Sequence, residues 1–200
     1  MNWDIYREIV PENSCMAAGL DEAGRGPLFG AVYAAAVILP DGYEIEGLDD
    51  SKKITEKKRE KLFDIIIRDA ISYGIGVCEP FEIDQINILN ASLLAMRRAV
   101  ENMSVKPDFL LVDGNIYRDF DIDGKAVVGG DGKIPSIAAA SILAKVSRDR
   151  YCLEMDRKYP QYGLAKHKGY PTKAHYGAIM EHGPTPLHRI SFLKKLYGEK

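Results

Sequence analysis

Residues 18–30, Ala-Gly-Leu-Asp-Glu-Ala-Gly-Arg-Gly-Pro-Leu-Phe-Gly, constrain the fold more than any other stretch of the chain. Small apolar residues lead into two adjacent carboxylates, Asp21 and Glu22, and a turn with three glycines around one arginine follows at once. The apolar residues favour a buried strand, and the glycines let backbone amides approach a bulky anion closely. A phosphate bound at this turn would be repelled by the two carboxylates unless a positive charge lay between them. A divalent cation is the simplest such charge.

The remaining apolar segments predict an α/β domain in which helices cover a central sheet. Strands are expected at 15–20, 31–39, 73–78, 109–112 and 126–129. Helices are expected at 3–10, at 55–70 with Thr55 as its cap, at 81–103 in two pieces around Asn87, at 137–159 with Ser136 as its cap, at 172–182 and at 189–197. A chain of 200 residues predicts one domain. We expect a catalytic core over 1–160, with a basic helical C-terminal extension over 161–200 packed on it.

Charge is distributed unevenly along the chain. From residue 133 to the end there are 13 basic and 5 acidic residues, whereas the part before it has 14 basic and 24 acidic ones. This split favours a polyanionic partner bound by one end of the molecule, although solvated helix faces explain it equally well. No apolar run is long enough for a bilayer, the N-terminus lacks a signal-peptide pattern, and the three cysteines are far apart. These observations predict a cytoplasmic protein with no membrane association.

Acids follow three of the predicted strands: Asp21 and Glu22 the first, Asp113 the fourth and Asp131 the last. Strand ends are where an α/β sheet presents its site. Carboxylates that converge there repel one another, and Mg²⁺ offsets this with few carboxylates plus water and phosphate oxygens. Two such ions about 4 Å apart promote displacement at a phosphodiester. Any one of these acids alone is better explained as a turn residue, but the whole set predicts a metal site.

Asp21 and Glu22 pose a geometric difficulty, because neighbouring residues of a strand point to opposite faces. They can share a site only if the chain bends between them, which Gly24 makes plausible. Alternatively, Glu22 contributes through its backbone carbonyl. The sequence leaves both alternatives open.

Seven motifs in order closely resemble those of bacterial type 2 ribonuclease H, the ribonuclease HII family. They are Gly-Leu-Asp-Glu-Ala-Gly-Arg-Gly-Pro-Leu at 19–28, Asp-Ser-Lys-Lys at 50–53, Val-Asp-Gly at 112–114, Gly-Asp at 130–131, the alanine-rich segment 136–149, His-Lys-Gly-Tyr-Pro-Thr-Lys at 167–173 and His-Arg-Ile-Ser-Phe at 188–192. The resemblance covers nearly the whole chain.

The resemblance implies a ribonuclease H-like fold: a mixed five-stranded sheet flanked by helices, with a helical C-terminal extension. It also implies an endoribonuclease that cleaves the RNA strand of RNA/DNA hybrids and incises 5′ of single ribonucleotides in duplex DNA. Such enzymes leave 3′-hydroxyl and 5′-phosphate ends, and use Mg²⁺ or Mn²⁺. A monomer is expected from the family.

Carried over residue by residue, the resemblance places the catalytic and metal-binding quartet at Asp21, Glu22, Asp113 and Asp131. Our hypothesis is that Asp21 and Asp131 hold the ion of the attacking water, while Glu22 and Asp113 help with the ion of the leaving group. The backbone of Gly24, Arg25 and Gly26 is expected to recognise the ribose 2′-hydroxyl, and Tyr170 to pack on a nucleotide at the junction.

Six basic residues are candidates for contacts with backbone phosphates: Lys52, Lys53, Lys145, Arg148, Lys168 and Arg189. The four histidines lack the spacing of a zinc site. Two other functions are alternatives for a sequence of this kind: a non-catalytic nucleic-acid-binding domain and a NAD-type oxidoreductase. Intact acids beside phosphates argue against the first, and a predicted strand where a helix should follow the glycines argues against the second.

Overall fold

In this computed structural model, which describes residues 1–198, five strands form one mixed sheet. They are β1 (Ala17–Ala23), β2 (Val32–Ile38), β3 (Ser72–Cys78), β4 (Phe109–Asp113) and β5 (Gly124–Val127), in the order β3-β2-β1-β4-β5. β2 is antiparallel to both of its neighbours, whereas β1, β4 and β5 are parallel. The carboxyl ends of β1, β4 and β5 therefore meet at one edge. The expected mixed five-stranded sheet is confirmed.

Helices cover both faces of this sheet. Their bounds are α1 (Trp3–Ile9), α2 (Glu56–Asp69), α3 (Pro80–Glu101), α4 (Pro135–Lys158), α5 (Leu164–His167), α6 (Lys173–His182) and α7 (Ile190–Leu193). Ala34 and Ala36 of β2 pack in the same apolar cluster as α3, while Ala35 and Val37 pack with α4 and α2 on the other face. Because both faces are buried, β2 is an uninterrupted apolar run in the sequence.

Glycines let the two long helices lie directly on the strands. A Cβ at Gly19 in β1 would stand 2.3 Å from the backbone nitrogen of Ile137 in α4. A Cβ at Gly74 or Gly76 in β3 would stand 2.0 Å from the carbonyl oxygen of Ala99 or Ala95 in α3. Atoms that close overlap, so each glycine is needed for the distance between sheet and helix.

Several element ends differ from the sequence-based prediction. β1 continues through both acids to Ala23 instead of ending at Leu20, and β5 ends at Val127, two residues before the predicted end. The predicted cap at Ser136 is wrong, because α4 begins at Pro135 and the Ser136 side chain is buried against Gly19. The cap at Thr55 is confirmed by its bond from the amide of Lys58, and the break in α3 at Asn87 by a φ of 65°.

After α4 the chain forms short helices around a smaller apolar cluster. Phe29, from the loop after β1, packs there with Tyr162, Leu164, Ile179 and Leu193. The division of the chain at residue 160 stays a prediction, and the last two residues of the predicted extension lie outside the described part. Within residues 1–198, no helix combines the length and apolar character needed to cross a membrane.

Candidate active site

Three of the four predicted acids lie together where β1, β4 and β5 end. Asp21, Asp113 and Asp131 each offer a carboxylate oxygen, and these oxygens lie within 4.8 Å of one another. Asp21 is only 5% exposed and Asp131 is also buried, whereas Asp113 is half-buried. Asp131 lies outside any strand, in a 3-10 turn at Gly130–Gly132 just before α4.

Alternation along the strands explains why these side chains converge. Gly19 faces α4, so Asp21, two residues on, points to the same side of β1. Leu20 pairs with Val112 on the parallel strand β4, which places Asp21 beside Asp113. The Asp113 carboxylate then accepts hydrogen bonds from the amides of Gly130, at 2.7 Å, and Asp131, at 3.3 Å. These bonds fix the 3-10 turn, and with it the third acid, against β4.

Burial and mutual repulsion make this cluster unfavourable for negative charge. Burial, followed by the charges of Glu22 and Asp113, raises the pKa of Asp21 well above its usual value. Burial and the charge of Asp131 likewise raise the pKa of Asp113. The ammonium of Lys52 stands 3.2 Å from Asp131 and offsets part of the charge. Three carboxylates in a partly buried site are typical ligands of a hard divalent cation. The residues present therefore fit Mg²⁺ or Mn²⁺.

Glu22 lies apart from this group of three. Its pairing with Ala34 shows that β1 is still extended there, so the bend between the two acids, one of the two alternatives left open by the sequence, is not present. Its carboxylate accepts a hydrogen bond from the Arg25 guanidinium at 3.3 Å. Burial raises the pKa of Glu22, although Arg25 opposes the shift. Glu22 and Asp113 nevertheless line the same two cavities, and Asp21 lines one of them, so Glu22 borders the same cleft.

A cleft of about 250 Å³ opens above the acids. Its walls bring together most of the residues singled out in the sequence, and the lining consists of Asp21, Glu22, Ala23, Gly24, Arg25, Gly26, Ser51, Lys52, Asp113, Ser141, Lys145, Arg148 and Tyr170.

The glycine-arginine-glycine loop and Tyr170 form one rim of this cleft. A Cβ at Gly26 would stand 3.5 Å from the Tyr170 ring, so the two segments are in contact. The amide of Leu28 donates to the carbonyl of Gly169 at 2.8 Å, which ties the loop to the residue before Tyr170. The tyrosine is 44% exposed. Its ring is therefore accessible for packing on a ligand.

Two of the four lysines among the predicted phosphate contacts line the cleft, and the other two do not. Lys52 and Lys145 line the cleft, and the Lys145 ammonium is 2.6 Å from Asp149. Lys53 is exposed and pairs with Asp49. Lys168 donates to the carbonyl of Ala165.

The two arginines among these candidates are buried, but Arg148 still lines the cleft, so its contact with phosphate stays a prediction. The Arg189 residue is 0% exposed, and its guanidinium donates to the carbonyls of Gly24, Arg25 and Gly30. Arg148 is also buried and donates to the carbonyls of Phe29 and Lys168. Backbone oxygens, and not phosphates, are thus the hydrogen-bond partners of the Arg189 guanidinium. Burial, followed by the charge of Arg148, lowers the pKa of Arg189 to about 9, which leaves it charged at neutral pH.

Two serines at the site were not among the predicted residues. The hydroxyls of Ser51 and Ser141 are 2.8 Å apart, and a hydrogen bond from Ser141 partly counteracts the raised pKa of Asp21. Ser141 is a polar residue in the middle of a wholly buried stretch of α4. That position is the signal that could have identified it.

Two of the four histidines, His175 and His188, form a hydrogen-bonded chain that ends at the carbonyl of Tyr170. His188 Nδ1 accepts from the amide of Thr185, so its proton lies on Nε2, which is 3.3 Å from Nε2 of His175. His175 then carries its proton on Nδ1 and donates to the carbonyl of Tyr170. Both rings are buried, and burial lowers the pKa of each to about 4. Neutral rings thus satisfy every bond in the chain.

Comparisons with known proteins identify the family. A family model described as ribonuclease HII matches residues 18–195. The chain is 54% identical over 190 residues to ribonuclease HII of Aliivibrio fischeri, an alignment that covers 94% of this chain and 92% of that protein. It is 52% identical to ribonuclease HII of Shewanella loihica, with 94% of each chain covered. Among solved structures, the ribonuclease H2 of Pyrococcus horikoshii matches with a TM-score of 0.75 and 28% identity, covering 92% of this chain and 98% of that one. Sequence and fold agree, and the chain belongs to the ribonuclease HII family of ribonuclease H hydrolases.

Proposed function

We propose that this protein hydrolyses the RNA strand of RNA/DNA hybrids and incises 5′ of single ribonucleotides in duplex DNA, with two divalent ions, and leaves 3′-hydroxyl and 5′-phosphate ends. One observation carries the proposal. Asp21, Asp113 and Asp131 offer oxygens within 4.8 Å of one another, and the first two of them line a cleft together with the glycine-arginine-glycine loop. A substrate phosphate above the acids would therefore place the neighbouring sugar against that loop.

In this proposal the residues of the site have three roles: metal binding, recognition of the 2′-hydroxyl and packing on a nucleotide. Asp21 and Asp131 would hold one Mg²⁺ or Mn²⁺ ion, and Asp113 with Glu22 a second. Ions bound there would lower the pKa of the attacking water and stabilise charge on the leaving oxygen. Backbone groups of Gly24, Arg25 and Gly26 would bind the 2′-hydroxyl, and Tyr170 would pack on the next nucleotide.

Lys52 and Lys145 line the cleft and would bind the phosphates of the substrate strand. Lys53 and Lys168 would contribute more distant phosphate contacts. Binding should accordingly weaken as salt is raised. Residues of the described part supply the whole site, which supports action as a monomer, and a cytoplasmic location remains our expectation.

The deciding experiment uses a duplex of DNA that contains one ribonucleotide and carries a label at each end of that strand. We expect nicking on the 5′ side of the ribonucleotide in Mg²⁺ and none in EDTA. Asp131→Asn should lower the rate by at least about 100-fold. Mutation of a residue that only hydrogen-bonds to a metal ligand already lowers metal affinity or activity by about 10–100-fold. Asp64→Asn, an exposed change of the same chemistry on α2, is the control.

Binding of the duplex without nicking would instead support the non-catalytic alternative. Near-normal turnover of Asp131→Asn in Mg²⁺ would contradict the assignment of the acids.

A further inference from the structure

The segment after α6, residues 187–189, is hydrogen-bonded to the loop that follows β1, residues 24–30. Arg189 forms most of these hydrogen bonds. Its backbone amide donates to the carbonyl of Leu28, and the amide of Gly30 donates to the carbonyl of Leu187, both at 2.8 Å. The two segments thus pair like a short antiparallel ladder, with a bridge between Phe29 and His188. The loop is therefore fixed to the C-terminal part of the chain by its main chain.

The Arg189 side chain adds three more hydrogen bonds to the same loop. Nε donates to the carbonyl of Gly30 at 2.8 Å, Nη1 to that of Arg25 at 3.0 Å and Nη2 to that of Gly24 at 2.7 Å. A planar guanidinium presents its donors in a fixed fork, so it sets the directions of these three carbonyls together. A flexible ammonium at this position cannot do so.

Orientation of the carbonyls also orients the amides. The structure contains no cis peptide bond in its described residues, and in a trans peptide the carbonyl and the following N–H point in opposite directions. With the carbonyls of Gly24 and Arg25 directed at Arg189, the N–H groups of Arg25 and Gly26 point to the opposite side of the loop. Gly24, Arg25 and Gly26 line the cleft above the acids.

We propose that Arg189 is a positioning residue, which turns the amides of Arg25 and Gly26 towards the cleft and thereby gives the site its preference for ribose over deoxyribose. This inference rests on the proposed function, in which that loop binds the 2′-hydroxyl. Arg189 itself touches no substrate, because it is buried beneath the loop.

The test measures binding of two duplexes that differ by a single 2′-hydroxyl, one all DNA and one with a single ribonucleotide, by fluorescence anisotropy in EDTA. For the unaltered protein we expect the ribonucleotide duplex to bind about fivefold or more tightly, from two hydrogen bonds of ordinary strength. Arg189→Lys should bring this ratio below about twofold while affinity for the all-DNA duplex stays the same. A role limited to stability would change both affinities together.

Arg98→Lys is the matched control, since Arg98 also donates to a backbone carbonyl, that of Val77, but lies away from the loop. Arg189→Gln is the second variant, and all binding is measured at least about 10 °C below each melting temperature. The proposal is overturned if Arg189→Lys keeps the affinity ratio of the unaltered protein, or if it loses affinity for both duplexes in parallel. It is also overturned if neither Arg189 variant folds. A ratio of one in the unaltered protein contradicts 2′-hydroxyl recognition itself, and hence the proposed function on which the inference rests.

Discussion

Removal of one buried carboxylate from the cluster should make the metal-free protein more stable while it abolishes cleavage. Asp21 is 5% exposed and faces Asp113 and Asp131, so its charge is unfavourable without a cation. Asp21→Asn keeps the size of the side chain, and its amide oxygen can still accept the hydrogen bond from the amide of Glu22. The substitution therefore removes the charge and little else.

The size of the effect follows from the separation of the oxygens. Two unit charges 4.8 Å apart repel by about 3.5 kcal/mol at an effective dielectric constant of about 20. Lys52 offsets part of this repulsion, and the hydrogen bonds that Asp21 accepts from Ser141 and from the amide of Glu22 offset more. A net gain of about 1–2 kcal/mol remains, which raises the melting temperature of a protein of this size by about 2–8 °C.

The dependence on pH has a definite sign. The pKa of Asp21 is raised in the folded protein, so folding favours its protonated form. Stability is therefore lost as pH rises from the ordinary value of the unfolded carboxyl through the raised folded value. The advantage of Asp21→Asn should be small near pH 4 and should widen as the pH is raised.

Thermal unfolding followed by calorimetry in EDTA at pH 4 and pH 8 measures this advantage. Asp64→Asn serves as the control for loss of one negative charge from an exposed position. Added Mg²⁺ should raise the melting temperature of the unaltered protein more than that of Asp21→Asn, because binding to the folded state stabilises it. A melting temperature of Asp21→Asn at or below that of the unaltered protein in EDTA at pH 8 would refute the reasoning, as would an equal gain in Asp64→Asn.

Three further predictions concern packing, the histidines and the rim. Gly19→Ala should destabilise the protein by about 1–3 kcal/mol, because its methyl group would overlap the backbone of α4, whereas Gly177→Ala in the open part of α6 should stabilise it slightly. Urea unfolding of both variants checks this, and equal effects would contradict it. Because the pKa of His175 and of His188 is lowered to about 4, stability should be fully present above about pH 6.5 and fall as the pH drops towards 4, by up to about 1.4 kcal/mol per pH unit for each histidine. In the same assay His188→Gln should have a shallower slope between pH 6.5 and 5, and an unchanged slope is the contrary result. Tyr170→Ala should lower incision beside an embedded ribonucleotide by about 5- to 150-fold, from loss of about 1–3 kcal/mol of stacking, with little change in melting temperature. Unchanged kcat/KM together with a sharply lower melting temperature would show that the ring serves only the core.

The sheet and the group of three aspartates follow from local patterns. Apolar runs mark the strands because both faces of the sheet are buried, and acids at strand ends meet because β1, β4 and β5 are parallel neighbours. The position of Glu22 outside that group also follows from strand alternation, once β1 is known to continue to Ala23. The sequence does not show whether this strand ends before or after the two acids, because the first glycine of the following turn is Gly24.

Arg148 and Arg189 both donate hydrogen bonds to the loop after β1, which lies more than a hundred positions away in the sequence. A positive charge in a basic segment predicts a surface contact with a polyanion, and nothing local indicates that backbone carbonyls from the loop after β1 will surround it. Ser136 illustrates the same limit. Its position before an apolar helix is typical of a cap, but the close approach of Gly19 buries it inside the first turn.

The Asp113 carboxylate joins β4 to the turn that carries Asp131, since one oxygen accepts bonds from the amides of both Gly130 and Asp131. The two acids therefore form a mechanically linked unit, and mutational costs measured at them should not sum. Truncation of Asp113 releases its neighbour as well, so its single-variant penalty already contains part of the loss ascribed to Asp131. Ranking the acids by individual alanine variants would accordingly overstate the share of Asp113, and only a double-mutant cycle separates ligation from anchoring.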